Sequence, residues 1–218
     1  IKLNTFNYQQ GVRPIWIDDN SFIFNQINLN KLCSCIYNIN TNNMTFHRFP
    51  VQEICPNNNI LFSIDYAQLD NINKDYGYNS ENKNFEIDGI DGIIGYDYKK
   101  RKKIFQLNSS RINKVSSIPS YPRQCEINHL SCAPKEDKIL FIYRDKKTLS
   151  ELFLYDFKKD KLELIFSGKI VSHYCWINSH EVIAFIGENI KNQGYFILDI
   201  NTKKYSSLNK EMNKNGDG

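Results

Sequence analysis

Four histidines stand at positions 47, 129, 173 and 180. An imidazole sheds its proton near neutral pH and is the commonest metal ligand, so each is a possible base, ligand or hydrogen-bonding strut. His129 lies in Ile127-Asn128-His129-Leu130 and His173 in Val171-Ser172-His173-Tyr174-Cys175-Trp176, both apolar-rich runs of strand character. His47 reads onto an outer strand and His180 into a turn, which places neither beside the other two. A tight divalent site needs three or four converging ligands. For His129 and His173 two readings stand side by side: a role in ligand binding, and hydrogen bonds that knit neighbouring innermost strands.

Arg123 and Arg144, with Tyr76, Tyr78, Tyr121 and Tyr143, suggest a second chemistry. An aromatic face stacks on the C–H face of a sugar ring while a guanidinium fork pairs with a carboxylate, the usual arrangement of a sugar-acid pocket. Trp16 and Trp176 end innermost strands and read as packing between adjacent sheets, because tryptophan supplies much apolar area and only one donor. Six cysteines, at 33, 35, 55, 125, 132 and 175, show neither a Cys-x-x-Cys pair nor finger-like spacing to histidine. They read as buried thiols in a reducing, cytoplasmic compartment. No Gly-rich phosphate loop, Gly-x-Ser-x-Gly elbow or His-Glu-x-x-His occurs, and Gly89 to Gly95 leads into a strand rather than opening a helix.

These side chains must be held by something, and the chain is organised by a repeat. Tyr37-Asn38-Ile39-Asn40, Tyr96-Asp97-Tyr98-Lys99, Tyr155-Asp156-Phe157-Lys158 and Leu198-Asp199-Ile200-Asn201 each close an apolar strand, with the Asn or Asp spaced by 59, 59 and 43 residues. That residue is expected to accept backbone hydrogen bonds in a tight turn. A short outer strand follows each one: Met44 to His47, Lys103 to Leu107, Lys161 to Phe166 and Lys204 to Ser207. Two strands precede each: Pro14 to Ile17 with Ser21 to Phe24, Val51 to Cys55 with Ile60 to Asp65, Ile127 to Cys132 with Ile139 to Tyr143, and Ser172 to Ile177 with Glu181 to Ile186. Four antiparallel strands at a period of about 40 to 60 residues, without helical periodicity between them, predict an all-β fold, a β-propeller. The blades are expected at 12–50, 51–108, 126–168 and 170–208, with long loops at 66–92 and 108–126.

Composition agrees with a packed domain. The 218 residues are 41% hydrophobic, 24% charged and 13% aromatic, unlike a disordered chain. Apolar runs such as Ile139 to Tyr143 fall far short of the roughly 20 residues that cross a bilayer, so no membrane partner is expected. Net charge is only +4, and the lysine clusters (Lys99 to Lys103, Lys146 with Lys147, Lys158 with Lys159) fall in turns. Nucleic acid is therefore not an expected partner. Four blades are the rare lower limit for a ring, and the chain begins with Ile and no leader, which together suggest a fragment of a longer protein.

Gln9-Gln10-Gly11, Asp75-Tyr76-Gly77-Tyr78-Asn79, Asp91-Gly92-Ile93 and the two histidine runs together resemble a family of bacterial propellers. It is similar to oligogalacturonate lyase and the Tol-Pal propeller and is associated with surface-glycan gene clusters. Members resembling this chain continue beyond a Gly-Asp-Gly like that in Asn215-Gly216-Asp217-Gly218. The resemblance to the lyase implies a manganese ion held by inner-strand histidines and one histidine, His129 as the candidate, as the base of a β-elimination. His129 with Pro134, and His173 with Trp176, match the spacing of that family. Tyr143 with Arg144 stands where a further ligand would be needed, and Tyr174 replaces a glutamate. The leading expectation is a non-catalytic or weakly catalytic propeller binding a glycan or glycan intermediate at a funnel of His129, His173, Arg144, Tyr143, Arg123 and Tyr78, with no cofactor. The alternatives are a manganese-dependent lyase, with His129 and His173 as metal ligands, and a scaffold that binds a protein partner.

Overall fold

The computed structural model describes residues 2–78, 85–145 and 147–208. Asn79, Lys146 and the run Asn215 to Gly218, noted above, lie outside the described residues. The chain divides into two compact units, residues 1–109 and 110–218. Each unit contains two four-stranded antiparallel sheets in simple meander order.

In the first unit, one sheet runs β1 (Ile15–Asp18), β2 (Ser21–Asn28), β3 (Lys31–Asn38), β4 (Met44–His47). The other runs β5 (Glu53–Cys55), β6 (Ile60–Ile64), β7 (Ile93–Asp97), β8 (Lys102–Leu107). Alternate residues of the two sheets meet in a core that includes Ile23, Val51, Ile54, Leu61, Ile94 and Tyr96. Asn25, wholly buried on β2, is satisfied across the sheets. Its amide donates to the Val51 carbonyl at 2.8 Å and its oxygen accepts from the Val51 N–H at 2.6 Å.

In the second unit, β9 (Glu126–Cys132), β10 (Lys138–Arg144), β11 (Ser150–Asp156) and β12 (Lys161–Gly168) form one sheet. The other comprises β13 (Ile170–Trp176), β14 (Glu181–Gly187), β15 (Gln193–Asp199) and β16 (Tyr205–Ser207). Leu140, Ile142, Leu152 and Leu154 pack here against Val182, Ala184, Ile186 and Leu198.

The repeated Asn or Asp does what its position predicts. Asn38 accepts from the N–H groups of Asn40 and Thr41 at 3.1 and 3.0 Å, and Asp97 from those of Lys99 and Lys100 at 3.0 and 2.7 Å. Asp156 accepts from Lys158 and Lys159 at 3.2 and 2.8 Å, and Asp199 from Asn201 and Thr202 at 2.9 and 2.8 Å. Four residues further on, each turn places a non-glycine residue in the left-handed region: Asn42, Arg101, Asp160 and Lys203, with φ between 52° and 59°.

The two long connections are not bare loops. The first carries α1 (Tyr66–Ile72), capped by Asp65, whose side chain accepts from the Gln68 N–H at 2.9 Å. The second carries α2 (Ser109–Val115), whose first N–H donates to the Asp91 carboxylate at 3.1 Å. Beside that contact Gly92 has φ +85°, and a Cβ there would stand 2.0 Å from the Leu107 carbonyl oxygen. No helix among the described residues is long and apolar enough to cross a membrane.

Candidate functional site

The two inner-strand histidines meet. β9 carries one extra residue between Asn128 and Ser131, opposite Ile142 and Leu140, and His129 lies in that bulge with φ 52°. β13 carries one extra residue between Val171 and Tyr174, and His173 lies there. A bulge twists the strand and re-aims its side chains, and bulges are over-represented next to active sites. The imidazoles stand edge to face with centroids 5.2 Å apart, His129 half-buried and His173 exposed. Ser172 Oγ lies 3.1 Å from His173 Nδ1, and the Tyr174 hydroxyl donates to the His129 carbonyl, tying β13 to β9.

Arg144 ends β10 directly opposite Glu126, the first residue of β9. Its Nε donates to Glu126 Oε1, and the Glu126 side chain is wholly buried. Glu126 Oε2 has no partner among the described residues. Arg144 lines a cleft of about 410 Å³ together with Asp145, Ser150, Lys169, Ser172 and Gln193. The Asp145 carboxylate is engaged: it accepts from the Ser120 hydroxyl and from the Lys147 N–H, and these bonds hold it below the usual carboxylate range. Lys169 donates to the Thr148 carbonyl at 2.8 Å, which fixes its ammonium at the cleft wall. The cleft thus presents a guanidinium braced from behind and a second cation, a pairing suited to a carboxylate.

The remaining residues read as binding candidates lie elsewhere. Tyr143, next to Arg144 and therefore on the opposite sheet face, is wholly buried. Its hydroxyl donates to Asn113 Oδ1 at 3.1 Å, and burial, with the Cys125 thiol beside it, raises its pKa. Tyr78 belongs to the interior of the first unit, 6% exposed, where its hydroxyl accepts from the Asn25 amide at 2.7 Å and its ring stands 5.2 Å from that of Tyr66. Arg123 is exposed on the 3-10 turn Pro122–Gln124, beside an exposed Tyr121. Trp176 packs on the core of the second unit as expected, but Trp16 does not pack between sheets: it is 60% exposed, its ring lying against Phe22 at 5.3 Å. Four of the six cysteines are buried, Cys132 is half-buried and Cys175 is exposed.

Reading the sequence alone missed Glu126, Lys169 and Ser172. Glu126 was hidden by the bulge: the register next to the Pro134 to Asp137 turn would set Ile127 opposite Arg144, and the extra residue at His129 brings Glu126 there instead. Lys169 and Ser172 carried no signal of their own. The residues about the histidine pair do not fit manganese: among the described residues no group of three or more His, Cys, Asp or Glu converges to hold a metal.

No family model matches the chain. No curated protein matches it. Solved structures do. The chain is similar to TolB from Acinetobacter baumannii at TM-score 0.56 and 13% identity, over 89% of this chain and 42% of that one. It is similar to lmo1340 from Listeria monocytogenes EGD-e at TM-score 0.52 and 12% identity, over 92% of this chain and 53% of that one. An oligogalacturonate lyase in complex with manganese aligns at TM-score 0.49 and 8% identity, over 87% of this chain and 50% of that one. The chain therefore spans about half the length of the structures it matches. At these identities the likeness establishes the fold, an all-β propeller architecture, and nothing of activity.

Proposed function

We propose that this propeller chain binds a carboxylate-bearing glycan or glycan intermediate, without turning it over, in the cleft where β10 ends and β13 begins. The observation that carries the reading is the braced Arg144. Its guanidinium is held by the buried Glu126 carboxylate and lines a cleft that Lys169 also enters. Charge-assisted bonds of this kind contribute about 1.5–3 kcal/mol each, enough to orient an acidic sugar against weakly bound water. The histidines stand outside the cleft lining: His173 lies 3.1 Å from the hydroxyl of Ser172, which does line it, and His129 packs against the His173 ring.

Calorimetric titration with trigalacturonate and with a neutral α-1,4-linked trisaccharide, maltotriose, tests this. Saturable binding of trigalacturonate alone is expected, weakened about tenfold or more in Lys169→Ala and in Arg144→Lys, which trades the planar fork for a point charge. Equal binding of the two sugars, or none of either, would refute it. Appearance of an unsaturated uronate product in the same mixture would favour the lyase instead.

A further inference from the structure

His47 ends β4, in register with Ser34, on the sheet face it shares with Thr45. It is 5% exposed, and its ring stands edge-on to those of Tyr96 and Tyr98, each 6.2 Å away. Neither ring nitrogen has a hydrogen-bond partner among the described residues. A buried polar atom in that condition costs about 1–3 kcal/mol, so an orphaned histidine needs an explanation.

The explanation lies beside it. His47 lines a cleft of about 530 Å³ within the first unit, with Asp18, Thr45, Asn57, Asn59, Tyr98 and Lys99 on its walls and Ile17, Ile36 and Pro56 supplying apolar surface. Small-molecule sites run from about 300 to 1,000 Å³ and combine apolar walls with a few convergent polar groups.

We propose that this cleft binds a neutral, polyhydroxylated small molecule, with His47 reading one of its hydroxyls. A neutral imidazole offers one N–H and one lone pair, and a hydroxyl is the group that can answer either. An anion would leave the lone pair unanswered and meet the Asp18 carboxylate. A cation would leave the N–H unanswered and meet Lys99. Burial, with the nearby Arg101 charge, keeps the imidazole neutral down to about pH 4. Both nitrogens are covered in the structure, so a ligand reaches them when the ring turns towards the cleft, and the ring resonances report that turn. The site lies wholly within residues 1–109 and is independent of the acidic-glycan reading above.

The test is a titration of the full chain, labelled with nitrogen-15, with maltose, with myo-inositol and with digalacturonate. The expected result is saturable shifts of the His47 ring nitrogens and of the Thr45, Asn57 and Asn59 amides with at least one of the two neutral polyols. Affinity should fall about tenfold or more in His47→Phe and in Asn57→Ala, the latter a change on the cleft wall that spares the core. The proposal is overturned if neither polyol gives saturable shifts there, if the midpoint is unchanged in Asn57→Ala and His47→Phe, or if only digalacturonate responds.

Discussion

Glu126 and Arg144 are a buried carboxylate and a mostly covered guanidinium whose value depends on being together. Removing one partner leaves a charge in a poorly solvated place, whereas replacing both by apolar groups of similar size is often neutral. Arg144→Met is therefore expected to lower stability by about 2–4 kcal/mol, while Glu126→Leu with Arg144→Met returns to within about 1 kcal/mol of the parent. Urea denaturation of the parent, the single variant and the double variant checks this, and a double variant as unstable as the single one would show that the pair has no such coupling. His47 and Glu53 give the first unit two opposed pH dependences. Burial, with the Arg101 charge, holds His47 down at about 4, below its ordinary 6.5, so its contribution is complete above pH 6.5 and is lost as pH falls towards 4. Burial raises Glu53 from 4.5 to about 7, so its contribution is complete below pH 4.5 and is lost as pH rises towards 7. Denaturation midpoints of His47→Phe should lose the acid-side fall, worth about 3 kcal/mol between pH 6.5 and 4, and a variant with the parent's full slope would place that titration elsewhere.

Elements make the turn geometry testable. In every sheet the turn from third to fourth strand ends on a left-handed residue, and none of the four is glycine. A side chain in that region costs about 1 kcal/mol, so Lys203→Gly, at an exposed position, is expected to raise stability by about 0.5–1 kcal/mol. A loss of stability would mean that the gain in unfolded-chain entropy outweighs the relieved strain. The reverse holds at Gly92, where a Cβ would collide with the Leu107 carbonyl, and Gly92→Ala should destabilise by several times as much. These turns were legible in the sequence because a side-chain oxygen that caps a turn must be Asn or Asp at a fixed offset. So were most strand ends, which moved by only one or two residues in the structure. The helices α1 and α2 were not legible, since seven residues give too few turns for a 3.6-residue period to show. Nor were the bulges that bring His129 and His173 together, because an extra residue exists only relative to the partner strand. Tyr143 illustrates the cost of treating neighbours as one site: strand alternation sends it into the core while Arg144 reaches the cleft.

On the scale of the whole molecule, the two units each have their own hydrophobic core, one centred on residues such as Val51, Leu61 and Ile94, the other on Leu140, Leu154 and Val182. Asn25 adds to the first a buried polar lock that can be satisfied only when β2 and the Val51 backbone are both in place. These two clusters share no residue, so a cavity cut in one removes contacts made within its own cluster. Leu61→Ala, at a fully buried position, should cost about 2–5 kcal/mol through lost transfer energy and an unfilled cavity. Amide hydrogen exchange followed residue by residue reads where that loss falls. Protection should drop across β1 to β8, with the amides of β9 to β16 retaining the parent's rates, and Leu154→Ala should produce the mirror pattern. Equal loss across all sixteen strands in both variants would show that the chain opens as one cooperative body, and the division into two units would then describe packing without describing stability.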